Sequence, residues 1–182
     1  SYPPIVNDLG QKAMVSQNRN VQFFKIPTYL LPVIHAQAAT WLRDDGHEVY
    51  WDDGNAQLKS CETWKADLVA WKPDVIVFES TTPVMKFYWR LIHEVKALLP
   101  DTVIVMTGYH TMRKPNETLE QCPADIILLS NHIDFVMIRL ARYLSEHEND
   151  WRSTCDVDGL VIRQDENLIR KTGTFKQVEP LD

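Results

Sequence analysis

Val75-Ile76-Val77-Phe78-Glu79-Ser80-Thr81-Thr82-Pro83-Val84 decides how this chain folds. Four consecutive apolar residues, the first three β-branched, read as a strand buried on both faces, and Pro73-Asp74 punctuates the element before them. Pro83 opens a helix in which Val84, Tyr88, Leu91, Ile92, Val95, Leu98 and Leu99 recur with a period of about 3.6 residues until Pro100. Val103-Ile104-Val105-Met106 then repeats the buried-strand pattern and closes at Gly108. Strand, helix and strand in that order form one βαβ unit, whose strands run parallel because the crossover helix returns the chain to the same edge.

The pattern extends in both directions. Upstream, Val21 to Ile26 has strand composition and is stopped by Pro27. A helix follows from Pro32, with Ile34, Ala38, Trp41 and Leu42 at helical spacing and Asp44-Asp45-Gly46 as its stop. His47 to Trp51 reads as a second strand, and Ser60 to Trp71 as a helix with Cys61, Trp64 and Leu68 on one face. Downstream come a short helix near Asn116 to Gln121, a strand from Asp125 to Leu129, and a helix from Ile133 to Leu144. Beyond Trp151, Gly159 to Arg163 and Leu168 to Arg170 flank the polar turn Gln164-Asp165-Glu166-Asn167 and predict a hairpin.

The expected fold class is therefore α/β: a flavodoxin-like (Rossmann-like) doubly wound five-stranded parallel sheet with a C-terminal β-hairpin appendage. The expected organisation is an N-terminal extension over 1–20, the α/β domain over 21–150, and a hairpin or linker over 151–182. The start at Ser1 and the stop at Pro180-Leu181-Asp182 lead us to expect a piece of a longer protein.

Composition narrows the partners. A net charge of -6 repels phosphate backbones and anionic lipid, so neither nucleic acid nor a membrane surface is an expected partner. No apolar run approaches the roughly 20 residues that cross a bilayer, and the N-terminus has no leader pattern, which leads us to expect a cytoplasmic protein. Cys61, Cys122 and Cys155 are too far apart for a close-spaced metal motif and odd in number, so we expect reduced, structural thiols.

In an open α/β sheet the ligand crevice opens where strand order reverses, between the loops that leave the strands' C-terminal ends. With the common order 2-1-3-4-5 these loops are Pro27 to Leu31, Glu79 to Pro83 and Gly108 to Met112, with Ser130-Asn131-His132 beside them. Ser80-Thr81-Thr82 can contact a ligand or simply cap the helix after Pro83. Gly108 permits a close backbone approach, or is an ordinary turn glycine. His35 and His93 fall at helical positions that suit packing, and Glu79, at the end of a buried strand, calls for a salt bridge. Trp41, Trp64, Trp71 and Trp89 are expected to pack in the core. The chain has no G-x-G-x-x-G, P-loop or G-x-S-x-G pattern, which removes support for dinucleotides, nucleoside triphosphates and serine hydrolysis.

Pro100-Asp101-Thr102-Val103-Ile104-Val105-Met106-Thr107-Gly108-Tyr109-His110-Thr111 and Asp158-Gly159-Leu160-Val161-Ile162-Arg163 carry a resemblance. So do Leu31-Pro32, the stretch Leu42 to Val49, Lys72 to Val77, and the closing Leu181-Asp182. The chain resembles the N-terminal cobalamin (B12)-binding domain of cobalamin-dependent radical S-adenosylmethionine enzymes, over most of Val21 to Leu144 and the hairpin. The first motif is similar to that family's strand and G-G-x-H-x-[ST] loop, with Tyr109 at the usual second glycine. Ser130-Asn131-His132-Ile133 stands where the family has an acidic G-E-G-E turn.

The resemblance implies a cobalamin held across the strand-end loops by Thr28, Tyr29, Ser80, Thr81, Thr82, Gly108, Tyr109, His110, Thr111, Ser130 and Asn131. The D-x-H-x-x-G signature that supplies a cobalt-ligating histidine is absent, which implies a base-off corrinoid without a histidine ligand. A C-terminal radical module would carry the [4Fe-4S] cluster and S-adenosylmethionine and, commonly, methyltransferase chemistry, since this chain has no C-x-x-x-C-x-x-C triad. On this reading the chain alone is a cofactor carrier and not a catalyst. A second reading, favoured by Tyr109 and the altered turn at Ser130, is an interaction or regulatory module that kept the fold without cobalamin. Half of a two-domain sugar transferase is a third reading, for which the chain offers no nucleotide-sugar site.

Overall fold

The computed structural model describes residues 2–5, 12–15, 21–24, 31–147, 151–165 and 169–175. In chain order the elements are β1 (Lys12–Val15), β2 (Val21–Phe24), α1 (Val33–Asp44), α2 (Cys61–Trp71), β3 (Val75–Glu79), a 3₁₀ turn (Thr82–Val84) and α3 (Met85–Leu98). They continue with β4 (Val103–Thr107), α4 (Tyr109–Arg113), α5 (Pro115–Gln121), β5 (Ile126–Leu128), α6 (Ile133–Glu146), α7 (Trp151–Thr154), β6 (Leu160–Arg163) and β7 (Ile169–Lys171). Among the described residues no helix is long and apolar enough to cross a membrane.

β3 to β7 form one five-stranded sheet in sequence order. β3, β4 and β5 are parallel, with Val75 opposite Val103 and Glu79 opposite Thr107. β6 and β7 are antiparallel to their neighbours, with Leu160 opposite Leu128. Alternate side chains serve opposite faces. Ile76, Phe78, Ile104, Met106 and Ile127 pack with Trp64 and Leu68 of α2 and with Leu91, Ile92 and Val95 of α3. Val105, Ile126, Leu128, Leu160 and Ile162 pack with Val136, Met137 and Leu140 of α6 and with Trp151. Helices cover both faces, as the apolar strand runs require. Ser60 caps α2 by accepting a hydrogen bond from Thr63 N–H.

Three expectations need correction. The sheet is mixed and not wholly parallel, because the C-terminal hairpin is no appendage: β6 pairs directly with β5 and carries Leu160 and Ile162 into the core. Val21–Phe24 is a strand, but it pairs antiparallel with Lys12–Val15, inside the stretch expected as an extension. A hairpin between neighbouring segments closes a short loop, which costs less entropy than a crossover partner. His47 to Trp51 is not a strand, although its exposure alternates in a strand-like way. The nearest ladder-like contact is the isolated parallel bridge between Tyr2 and Asp53.

The lower edge of the sheet is held by Asp125, which is 2% exposed. One carboxylate oxygen accepts Ile104 N–H at 2.8 Å and faces Lys96 Nζ at 2.8 Å; the other accepts from Arg152 at 2.5 Å. Lys96 also donates to Thr102 O, and Arg152 to Arg163 O. Arg163 in turn donates to the carbonyls of Ala124 and Cys122. The three free cysteines include Cys122 and Cys155 in buried positions, and burial pushes the Cys122 thiol up to about 11, which keeps it protonated. Asp125→Ala strands two cations and a strand N–H, and denaturant unfolding is expected to show a loss of about 3 kcal/mol. Asp125→Asn, which keeps an acceptor for Ile104, is expected to lose less.

Candidate functional site

The C-terminal ends of β3 and β4 are fastened to each other. Ser80 N–H donates to Thr107 O at 3.0 Å, extending the parallel ladder past the last strand residue. Gly108 follows with φ +108°, and a Cβ there would stand 2.1 Å from Ser80 O. The close approach that Gly108 permits is thus to the neighbouring loop's backbone, and the glycine acts by setting the two loops side by side.

Around this contact lie four buried polar atoms that find no hydrogen-bond partner among the described residues: Ser80 Oγ, Thr81 Oγ1, Thr107 Oγ1 and His110 Nε2. Ser80, Thr107 and Thr111 are fully buried, Thr81 nearly so, and His110 is 9% exposed. Leaving a buried polar group unpaired costs about 1–3 kcal/mol, so a cluster of such groups makes this strand end a candidate site. Hydroxyls both donate and accept, which suits amide or hydroxyl groups of a ligand.

His110 lies in the first turn of α4, two residues after Gly108. Its Nδ1 is 3.2 Å from Thr82 Oγ1, and its ring meets Trp89 edge-on at 6.1 Å. Burial holds the imidazole below its ordinary range, with Glu117 raising and Lys114 lowering it by smaller amounts. A neutral ring that uses Nδ1 toward Thr82 leaves Nε2 as the second polar atom.

The other expected residues divide. Thr111 Oγ1 donates to Gly108 O at 3.0 Å, so its hydroxyl serves the turn. Ser130, 8% exposed, accepts His132 N–H at 3.0 Å and braces the loop after β5. Asn131 is exposed on the same loop, and Tyr109, 53% exposed, carries Arg113 over its ring at 5.4 Å. Thr28 and Tyr29 lie outside the described residues. The structure brings Ser80, Thr81, Thr82, Gly108 and His110 together, with Ser130 and Asn131 on the next strand end.

Sequence reading missed Thr107, whose signal was a lone polar residue ending an apolar strand. It also missed how Glu79 is satisfied. Tyr2 Oη donates to Glu79 Oε2 at 2.8 Å, and His35 Nδ1 stands 3.4 Å from the same oxygen. Burial and the neighbouring Glu79 push the Tyr2 phenol up, so it remains a donor. These three residues line a cavity of about 760 Å3 beside β3, between α1, α6 and residues 47–52. Among the described residues no group of three or more His, Cys, Asp or Glu is placed to hold a metal ion.

No protein-family model matches the chain, and no curated protein matches it in sequence. Solved structures do match. The radical S-adenosylmethionine methyltransferase TsrM from Kitasatospora setae, with cobalamin and [4Fe-4S] cluster bound, is 18% identical, with a TM-score of 0.68 over 87% of this chain. TsrM with tryptophan substrate and the analogue aza-SAM gives 0.67 at 19% identity over 82% of the chain. The chain shares the fold of part of TsrM. It spans 29% and 28%, respectively, of the length of those two chains.

Two outcomes check this geometry. Gly108→Ala combines a steric clash with a φ that Ala avoids, and is expected to lose about 3 kcal/mol, seen as a Tm lower by roughly 6–12 °C. Below about pH 6.5 the unfolded chain takes up a proton on His110 that the folded chain resists, so stability falls with pH there. His110→Gln is expected to flatten that acid limb in urea unfolding, measured from about pH 7.5 down to 5.

Proposed function

We propose that this chain holds a corrinoid on its strand-end loops for a radical S-adenosylmethionine module, in the context of methyl transfer. The observation that carries the reading is the cluster of unpartnered polar atoms at Ser80, Thr81, Thr107 and His110, set at the C-terminal ends of adjacent parallel strands. That is where open α/β sheets bind ligands. A corrin ring is edged by carboxamide groups, which both donate and accept, and buried hydroxyls answer either role. The resemblance of the Thr107 to Thr111 stretch and the shared fold with TsrM support the same reading.

In this reading Ser80, Thr81 and Thr107 bind the ring edge, Gly108 keeps their loops in register, and Thr82 fixes the His110 ring. Ser130 and Asn131 extend the shelf toward β5. Cobalt, when the corrinoid is bound, supplies a site that carries a methyl group between donor and acceptor. The protein's share is to orient the cofactor and exclude water, and the cluster would come from a separate module. The absence of D-x-H-x-x-G supports a base-off corrinoid with no histidine ligand. Free thiols at all three cysteines fit a reducing compartment such as the cytoplasm.

The test is to mix the protein with hydroxocobalamin, remove free cofactor by gel filtration, and record the visible spectrum of the protein peak. A base-off spectrum in that peak is expected, unchanged in shape in His110→Gln. A colourless peak from folded protein would favour the interaction-module reading, to which the exposed Tyr109 lends a surface. Thr107→Val carries a sharper expectation: replacing an unpaired buried hydroxyl by a methyl leaves stability unchanged or raises it by about 1 kcal/mol, while corrinoid affinity falls about tenfold.

A further inference from the structure

The cavity of about 760 Å3 beside β3 runs along that strand from Val75 to Glu79, a length of about 13 Å at the rise of an extended chain. Its floor is one face of the sheet. Val75, Val77 and Val103 are half-buried there, whereas Ile76, Phe78 and Ile104 on the opposite face are closed over by α2 and α3. α1 and α6 pack against each other over this floor and supply Ala38, Leu42 and Met137 to the walls. The middle of the slot is therefore apolar.

The Glu79 end differs in charge. Among the described residues four carboxylates are buried: Asp52, Glu79, Asp125 and Asp134. Asp52 is paired with Lys59 at 2.9 Å, and Asp125 with Lys96 and Arg152. Asp134 lies in the first turn of α6, where the helix dipole favours an anion and Phe135 N–H donates to it. Glu79, 7% exposed, has no lysine, arginine or helix terminus beside it. It is met by the Tyr2 hydroxyl and by His35, a cation only when protonated. Three rings gather there: Tyr2 meets His35 edge-on at 5.8 Å and Trp51 at 6.0 Å. Lys72 is the lysine of the lining, and it stands at the far end beside Pro73 and Asp74.

We infer that this cavity binds a small organic cation, with a protonated amine at Glu79 beside the Tyr2 and Trp51 rings and an apolar body along Val75, Val77 and Ala38. A buried carboxylate without a fixed cation is costly, and an ammonium group supplies the missing charge through charge-assisted hydrogen bonds. Aromatic faces attract an ammonium ion as well. A neutral molecule of the same shape gains the apolar contact alone, and an anion meets Glu79 with like charge. Glu79 adjoins Ser80, so the cavity and the strand-end shelf meet at the end of β3. The cation site stands on its own geometry and not on the corrinoid reading.

Isothermal titration of the full chain with phenylbutylamine, phenylbutanol and phenylbutyrate compares one apolar body carrying a cationic, a neutral and an anionic head. The amine is expected to bind at least about tenfold more tightly than the alcohol, and the carboxylate more weakly than either. Glu79→Gln keeps an acceptor for Tyr2 Oη and is expected to bring the amine to the affinity of the alcohol. Ala38→Leu leaves Glu79 in place and adds carbons to the cavity wall, one turn along α1 from His35, and is expected to weaken the amine at least about fivefold. The Tm of each variant reports whether it folds, and if Glu79→Gln does not, Ala38→Leu decides. No corrinoid is present, so the outcome is independent of whether hydroxocobalamin binds the shelf. The inference is overturned if the amine does not bind, if the three probes bind alike, or if either folded variant binds the amine as the unaltered protein does.

Discussion

Asp125 ties together everything that must be rigid for the strand ends to hold a shape. Its carboxylate reaches β4 through Ile104 N–H, the helix layer through Lys96, and the C-terminal segment through Arg152, which itself holds Arg163 O. The parallel half of the sheet and the antiparallel half meet at this residue. A carboxylate that is 2% exposed is tolerable because two cations and an N–H surround it, and the same surroundings make it hard to remove. At the opposite edge the constraint is steric: Gly108 against Ser80 O allows the loops after β3 and β4 to touch.

Between those two fixed ends the fold divides its polar groups unequally. At the lower edge Asp125 and Arg163 are paired with cations, carbonyls or strand N–H groups, and Arg170 Nε is the atom there that finds no partner among the described residues. At the upper edge Ser80, Thr81, Thr107 and His110 keep atoms unpaired in nearly solvent-free positions. Such groups lower stability, and four of them gathered at two adjacent strand ends are what nominates this edge for the function proposed above. The hairpin adds to that edge: by pairing with β5 it brings Lys171 and Phe175 beside Ser130 and walls a second cavity.

Much of this was legible in the chain. The apolar runs at 75–78 and 103–106 and the stripe from Val84 to Leu99 specify their elements alone, because burial on both faces or one leaves a period that few alternatives share. His47 to Trp51 shows the limit: alternation arises wherever an extended segment lies on a core, with or without a ladder partner. The hairpin was visible as a hairpin, but its partner was not, since pairing with β5 is a contact between distant segments. At the site, the expected order 2-1-3-4-5 is not the one found: the sheet of described strands runs β3-β4-β5-β6-β7 without a reversal, so the loops after β3 and β4 stand as strand ends and not as a switch point, and the sequence could not sort their hydroxyls. Thr107 and Thr111 lie on either side of the same glycine; only the geometry shows that the Thr111 hydroxyl bonds to Gly108 O while Thr107 Oγ1 finds no partner among the described residues.

The claim that the strand-end shelf is a corrinoid seat is tested most directly by hydrogen–deuterium exchange of the protein with and without hydroxocobalamin. The account predicts slowed exchange confined to peptides covering 80–84 and 107–112, with a smaller effect at 130–132 and none along the lower edge near Asp125. Binding that protects only the segments lining the 760 Å3 cavity beside β3, or that leaves 80–84 and 107–112 unchanged, would contradict it.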